Sequence, residues 1–157
     1  MKIVLLVVGK TDSGSWNDAL GDYSGRLKHY IPFEMEVIPD IKNVKNLTES
    51  QQKEQEGILI LKSLQAGDHY VLLDERGKEF TSKQFASYIE KKIQSVPKRF
   101  VFVIGGPYGF SDDVYAKASE RMSLSKMTFS HQMIRAIFAE QLYRAMTILR
   151  GEPYHHE

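Results

Sequence analysis

A chain of 157 residues, 42% hydrophobic and 26% charged, can bury roughly two-thirds of its unfolded surface, so one ordinary domain spanning residues 1–157 needs no disulfide or metal staple. The absence of cysteine excludes disulfides, thiolate catalysis and cysteine zinc sites, and fits a cytoplasmic protein. A net charge of +1 gives no global electrostatic argument for nucleic acid, so an RNA partner has to be argued from local residues.

Residues 2–8, KIVLLVV, read as a buried strand. The run ends at Gly9-Lys10-Thr11 with no cleavage site of small residues, so it is not a signal peptide, and no segment is apolar for long enough to cross a bilayer. A phosphate-binding P-loop would need a glycine where Val4 stands. Trp16, Leu20, Tyr23, Leu27 and Tyr30 recur at helical spacing and predict an amphipathic helix over residues 16–29. Pro32 ends it, and residues 34–38 alternate as a second strand. Lys42 and Lys45 lie in a polar loop able to touch phosphate, although exposed lysines are ordinary. Thr48 and Gln51 form a capping-box signal for a helix reaching about residue 64.

Residues 69–73, HYVLL, predict a third strand ending in a charged turn, Asp74-Glu75-Arg76-Gly77. Thr81 and Gln84 open another capped helix with Phe85, Ile89 and Ile93 on its apolar stripe. Residues 100–104, FVFVI, read as a strand buried on both faces. They run into Gly105-Gly106-Pro107-Tyr108-Gly109, which permits a tight turn and close backbone approach. After a short helix from Ser111-Asp112 come a brief strand near residues 122–124 and a loop at 125–129. A long helix over residues 130–149 carries Ile134, Phe138, Leu142, Ala145 and Leu149. Ile137, Tyr143 and Met146 widen that stripe beyond one sheet face, as a subunit interface or a fully buried helix would require.

This order of elements predicts an α/β fold, a mostly parallel sheet with helices on both faces. Ligands of such sheets bind beyond the strand carboxyl ends, which marks Leu73, Gly105 and residues 124–129 as a candidate crevice. The glycine loop does not match G-x-G-x-x-G, His131 and the tail histidines lack zinc spacing, and no Ser-His-Asp arrangement is evident.

The segments VLLDERG at 71–77, FVIGGPYG at 102–109, SLSKMTFSHQMIR at 123–135, EQLYRA at 140–145 and RGEPYHH at 150–156 resemble the ribosomal RNA large-subunit methyltransferase H family, of the SPOUT class. The resemblance spans the chain. It implies a trefoil-knotted α/β methyltransferase that uses S-adenosyl-L-methionine, without a metal, to methylate N3 of a pseudouridine in 23S ribosomal RNA of the assembled ribosome, working as a homodimer. It also implies cofactor contacts at Leu73, Gly105, Leu124, Ser125, Lys126, Met127, Thr128 and Phe129. Tyr154 and His155 are implied at the substrate, reaching the other subunit's cofactor; beside them, Arg135, Arg144 and Arg150 are candidates to meet phosphate by their own chemistry. The residues themselves leave two other readings open: a non-catalytic ribosome-binding module of the same fold, and an α/β enzyme whose glycine loop serves another nucleotide.

Overall fold

A computed structural model of the chain describes residues 1–12 and 14–156. Its centre is a five-stranded sheet in the order β2-β1-β4-β3-β5, built from β1 (Lys2–Val8), β2 (Phe33–Ile38), β3 (His69–Glu79), β4 (Arg99–Ile104) and β5 (Glu120–Ser123). Every pairing is parallel, so all strand carboxyl ends share one edge. The helices are α1 (Ser15–Leu27), α2 (Glu49–Ser63), α3 (Ser82–Ser95), α4 (Asp112–Lys117) and α5 (Met133–Leu149), with short 3-10 turns at Val44–Asn46 and Pro153–His155.

Period-two alternation divides the strands between two cores. Ile3, Leu5, Val7, Phe100 and Phe102 face one side, where α1, α3 and α5 pack. Val4, Leu6, Val101 and Val103 face the other, against Ile60 of α2 and Val114 of α4. β1 and β4 are thus buried on both faces, as their unbroken apolar runs require. Each fully buried Phe or Leu contributes about 1.5–3 kcal/mol. Both expected capping boxes form: Gln51 N and Gln84 N donate to the hydroxyls of Thr48 and Thr81 at 3.1 and 3.2 Å.

The charged segment after Leu73 does not end β3. The strand continues to Glu79 through an irregularity between Leu73 and Lys78, and re-pairs with Met122 and Ser123. The cause is Gly77, where a Cβ would lie 2.6 Å from the backbone nitrogen of Met122. A glycine there lets the two backbones pass in contact. Met122 and Ser123 are buried at that passage, which fixes the start of the loop that follows β5. The long C-terminal helix also begins later than its apolar pattern predicts, at Met133, leaving residues 124–132 to border the sheet edge.

Candidate functional site

Beyond the carboxyl ends of β3, β4 and β5 lies a crevice of about 720 Å³, within the range of small-molecule sites. Three sequence-distant segments converge on it: Leu73 to Arg76 from β3, Ile104 to Phe110 from β4, and the loop after β5, with His131 and Ile134 also lining it. Leu73, Ile104, Leu124 and Ile134 give an apolar wall, while Asp74, Glu75, Ser125 and Thr128 supply polar atoms.

The loops are fixed by local chemistry. The Ser123 hydroxyl donates to Ser125 O at 2.8 Å, and Met127 N donates to the Ser125 hydroxyl at 3.0 Å. Thr128 donates to the Glu75 carboxylate at 2.6 Å, tying this loop to β3. Across the crevice Gly109 N donates to Gly106 O at 3.2 Å, and Gly109 sits at φ +81°, a backbone state that favours glycine.

Gly105 and Gly106 are glycines for a reason internal to the protein. A Cβ on Gly105 would come 3.1 Å from the Phe110 ring, and one on Gly106 would overlap the Glu56 carboxyl group. The missing side chains therefore make room for packing behind the loop. Glu56, on α2, is 3% exposed. One oxygen accepts from Gln52 at 3.2 Å and the other has no partner. Burial pushes its pKa up, and the nearby Asp40 charge pushes the same way.

Also lining the crevice, the Tyr115 hydroxyl donates to Asp74, and Arg76 N donates to the same carboxylate at 2.8 Å. Burial would raise the Asp74 pKa, but these hydrogen bonds outweigh it and hold the group below the usual carboxylate value. Asp74 is thus a fixed negative charge. The Arg121 guanidinium lies 4.3 Å from the Tyr115 ring centroid.

The expected cofactor residues meet here with one departure. Leu73, Gly105, Leu124, Ser125, Met127, Thr128 and Phe129 all border the crevice. Lys126 does not: its side chain is 83% exposed and its ammonium lies 3.7 Å from Glu79.

Tyr154 and His155 are elsewhere, on the far half of α5. The Tyr154 phenol donates to Glu140 at 3.0 Å and lies 3.2 Å from the Tyr23 hydroxyl. Its ring meets Tyr143 edge-on at 4.8 Å, and Arg144 spans from Glu140 to His155 Nδ1, the latter at 3.1 Å. Burial, with the bonds to Tyr23 and Glu140, raises the Tyr154 pKa. Tyr30 donates to Glu152 at 2.6 Å, a bond that, with burial, pushes its phenol up to about 12. The tail is therefore docked on α1 and α5 of its own chain.

The three arginines part company. Arg150 is exposed, stacks 4.2 Å over the Tyr30 ring centroid and donates to His29 O. Arg144 is half-buried in the tail network. Arg135 is fully buried and donates to Val8 O at 2.7 Å, Gly9 O at 2.8 Å, Thr11 Oγ1 at 3.0 Å and His131 O at 3.0 Å. A guanidinium so enclosed offers no face to phosphate, so the expectation for Arg135 is corrected: it ties the end of β1 to the start of α5. Among the described residues no cluster of His, Asp or Glu could hold a metal, and no helix is long and apolar enough to cross a membrane.

With this geometry in place, comparison with known proteins is decisive. A family profile described as "Predicted SPOUT methyltransferase" matches residues 1–155. The chain belongs to the SPOUT methyltransferase family. Over 157 residues, and the whole of both chains, it is 73% identical to the ribosomal RNA large subunit methyltransferase H of Parabacteroides distasonis. It is 63% and 59% identical, again over the whole of both chains, to proteins of that name from Phocaeicola vulgatus and Flavobacterium johnsoniae. Among solved structures, a probable methylase family protein from Haemophilus influenzae Rd KW20 superposes with a TM-score of 0.52 at 12% identity, covering 97% of this chain and 69% of the other. At that identity it supports the fold alone. The crevice at the ends of β3, β4 and β5 is therefore the candidate active site of a SPOUT methyltransferase.

Proposed function

We propose that this chain is an S-adenosyl-L-methionine-dependent methyltransferase that acts on N3 of a pseudouridine in 23S ribosomal RNA of the assembled ribosome. The observation that carries the reading is the convergence of Leu73, Gly105 and the loop after β5 on one crevice of about 720 Å³, in a chain 73% identical over its full length to a ribosomal RNA methyltransferase. The donor set suits the cofactor. Leu73, Ile104, Leu124 and Ile134 offer an apolar slot for adenine, and the ionised Asp74 suits a ligand carrying a positive sulfonium.

When bound, adenosylmethionine supplies an activated methyl group whose leaving group departs as a neutral thioether, so the chemistry itself requires no metal. The protein's share is to orient the base nitrogen, exclude water and move the imide proton. The loop after β5, pinned by Ser125 and by Thr128 to Glu75, holds one wall of the crevice rigid for that purpose.

Tyr154 and His155 lie outside their own chain's crevice, so their role at the substrate calls for a second copy. Half-buried Ile137 and Tyr143 on α5, with Trp16 40% exposed on α1, leave apolar surface for a homodimer beside the tail. In that assembly the tail of one protomer reaches the crevice of the other. The Tyr154 phenol, its proton held by burial and by Glu140, orients the base and does not begin as the proton acceptor. The trefoil knot belongs to the same proposal, and the backbone passage of Gly77 against Met122 is the feature consistent with it. The enzyme would work in the cytoplasm, where ribosomes are assembled.

Equilibrium binding tests the site. Adenosylmethionine should bind the purified protein with a Kd at least about tenfold lower than ATP or NAD, and Leu124→Asp should abolish that binding by placing a carboxylate in the apolar wall. Tighter binding of ATP or NAD would favour the other-nucleotide enzyme. A folded protein that binds none of the three would favour a ribosome-binding module.

A further inference from the structure

Two large apolar side chains stand uncovered on the loops that border the crevice. Tyr108 is 43% exposed at the tip of the glycine loop, and Met127 is 78% exposed on the loop after β5. Both line the crevice. Isolated exposed hydrophobics are ordinary, but these two share a single opening and both loops are pinned by the hydrogen bonds described above. Tyr108 also differs from the chain's other tyrosines. Tyr30, Tyr88, Tyr115 and Tyr154 each give their hydroxyl to a carboxylate, Tyr23 and Tyr143 stack in the tail cluster, and Tyr70 is buried. Tyr108 has no hydrogen-bond, ring or ion-pair partner among the described residues.

A nucleobase fits that vacancy. The acceptor atom of a base edge is shielded while the base is stacked in an RNA helix, so to enter the crevice the base must be drawn out and must find new stacking surface. An aromatic ring provides it, and base stacking on an aromatic side chain is worth roughly tenfold or more in affinity. Cationic side chains needed for the flanking phosphates are at the same opening: Lys53 lines it, and so does Arg76, whose side chain is 72% exposed.

We propose that Tyr108 is the stacking platform for the target pyrimidine of the RNA substrate, with Met127 closing the opposite side. The inference rests on the methyl-transfer reading above and adds to it a substrate-positioning residue in the protomer that holds the cofactor.

Steady-state methyl transfer to ribosomes from cells lacking this modification, together with equilibrium binding of adenosylmethionine, tests it in full-length Tyr108→Ala, Tyr108→Phe and Tyr108→Leu. Tyr108→Ala should raise KM for ribosomes by about tenfold while the cofactor Kd stays within about twofold, since among the described residues no hydrogen bond, ring contact or ion pair of Tyr108 holds the loop. Tyr108→Phe should restore KM and Tyr108→Leu should not. An unchanged KM in Tyr108→Ala would overturn the proposal. So would a parallel rise in cofactor Kd, which would make Tyr108 a wall of the cofactor site, and so would rescue by Leu equal to that by Phe. Absence of transfer by the unaltered protein is a separate outcome: it would overturn the methyl-transfer reading itself, and this inference with it.

Discussion

The Tyr154 phenol donates to the Glu140 carboxylate at 3.0 Å, and the Arg144 guanidinium grips the same oxygen at 2.5 and 3.1 Å. One carboxylate on α5 thus organises the tail. Glu140→Ala should free the tail while leaving the sheet intact, because the two cores do not involve it. Methyl transfer should fall by about tenfold or more with cofactor affinity unchanged, and proteolysis within residues 151–156 should accelerate. Unaltered transfer from a protein with a freed tail would remove the tail from the mechanism.

Burial, with the bonds to Tyr23 and Glu140, raises the Tyr154 pKa, so its phenol stays protonated across neutral pH and the rise of kcat with pH should not report it. Tyr154→Phe keeps the edge-on packing against Tyr143 and loses only the hydroxyl. Its kcat should fall by less than about a hundredfold, with the shape of the pH profile unchanged. A loss of about 10²–10⁴, the usual worth of a general base, with a flattened profile would make the phenol the proton carrier.

Glu56 gives a pH dependence of stability with a definite sign. Its folded pKa is raised by burial, so the folded state holds the proton more tightly than the unfolded chain, whose carboxyl titrates near about 4.3. Stability is full below that pH and is lost as pH climbs from there through the raised folded pKa. Glu56→Gln removes the titration. The variant should match the unaltered protein near pH 4 and exceed it by about 1–3 kcal/mol at pH 8, as read from urea midpoints. A gap independent of pH would contradict the burial argument.

Gly106 should be intolerant for the reason given by the same carboxyl. Gly106→Ala drives a methyl group into Glu56, which has little room to shift at 3% exposure, and should weaken adenosylmethionine binding by about tenfold through displacement of the loop. The double variant Gly106→Ala with Glu56→Ala should recover most of that loss. Full affinity in Gly106→Ala alone would show that the loop yields freely.

Arg135→Met should cost about 3–5 kcal/mol, because Val8 O, Gly9 O and His131 O lose a charged donor in a dry interior. The check is a urea midpoint. A stable Arg135→Met with weakened ribosome binding would return Arg135 to the RNA surface.

The sheet was legible because β1 and β4 are buried on both faces, leaving runs such as FVFVI that no other element explains. The capping boxes at Thr48 and Thr81 marked two helix starts for local reasons. β3's extension was illegible because Asp74 to Gly77 has the composition of a turn, and the need for glycine at 77 arises from the Met122 backbone, 45 positions along the chain. Arg135 was misread and the burial of Glu56 missed because charge signals exposure. Position carried a better signal in both: Arg135 precedes Phe138 and Leu142 on the buried stripe of α5, and Glu56 lies one helical turn before buried Ile60. The crevice was found from strand ends alone, yet the residues shaping its loops, Ser125, Thr128 and Glu75, meet only through the fold.

The most direct test is transfer of a labelled methyl group from S-adenosylmethionine to ribosomes from cells lacking this modification, with free 23S RNA and separated subunits in parallel. The account predicts label on N3 of one pseudouridine in the 23S RNA of assembled ribosomes, and little on free RNA. Cofactor binding without label on any particle, or label at a different kind of nucleotide, would contradict it.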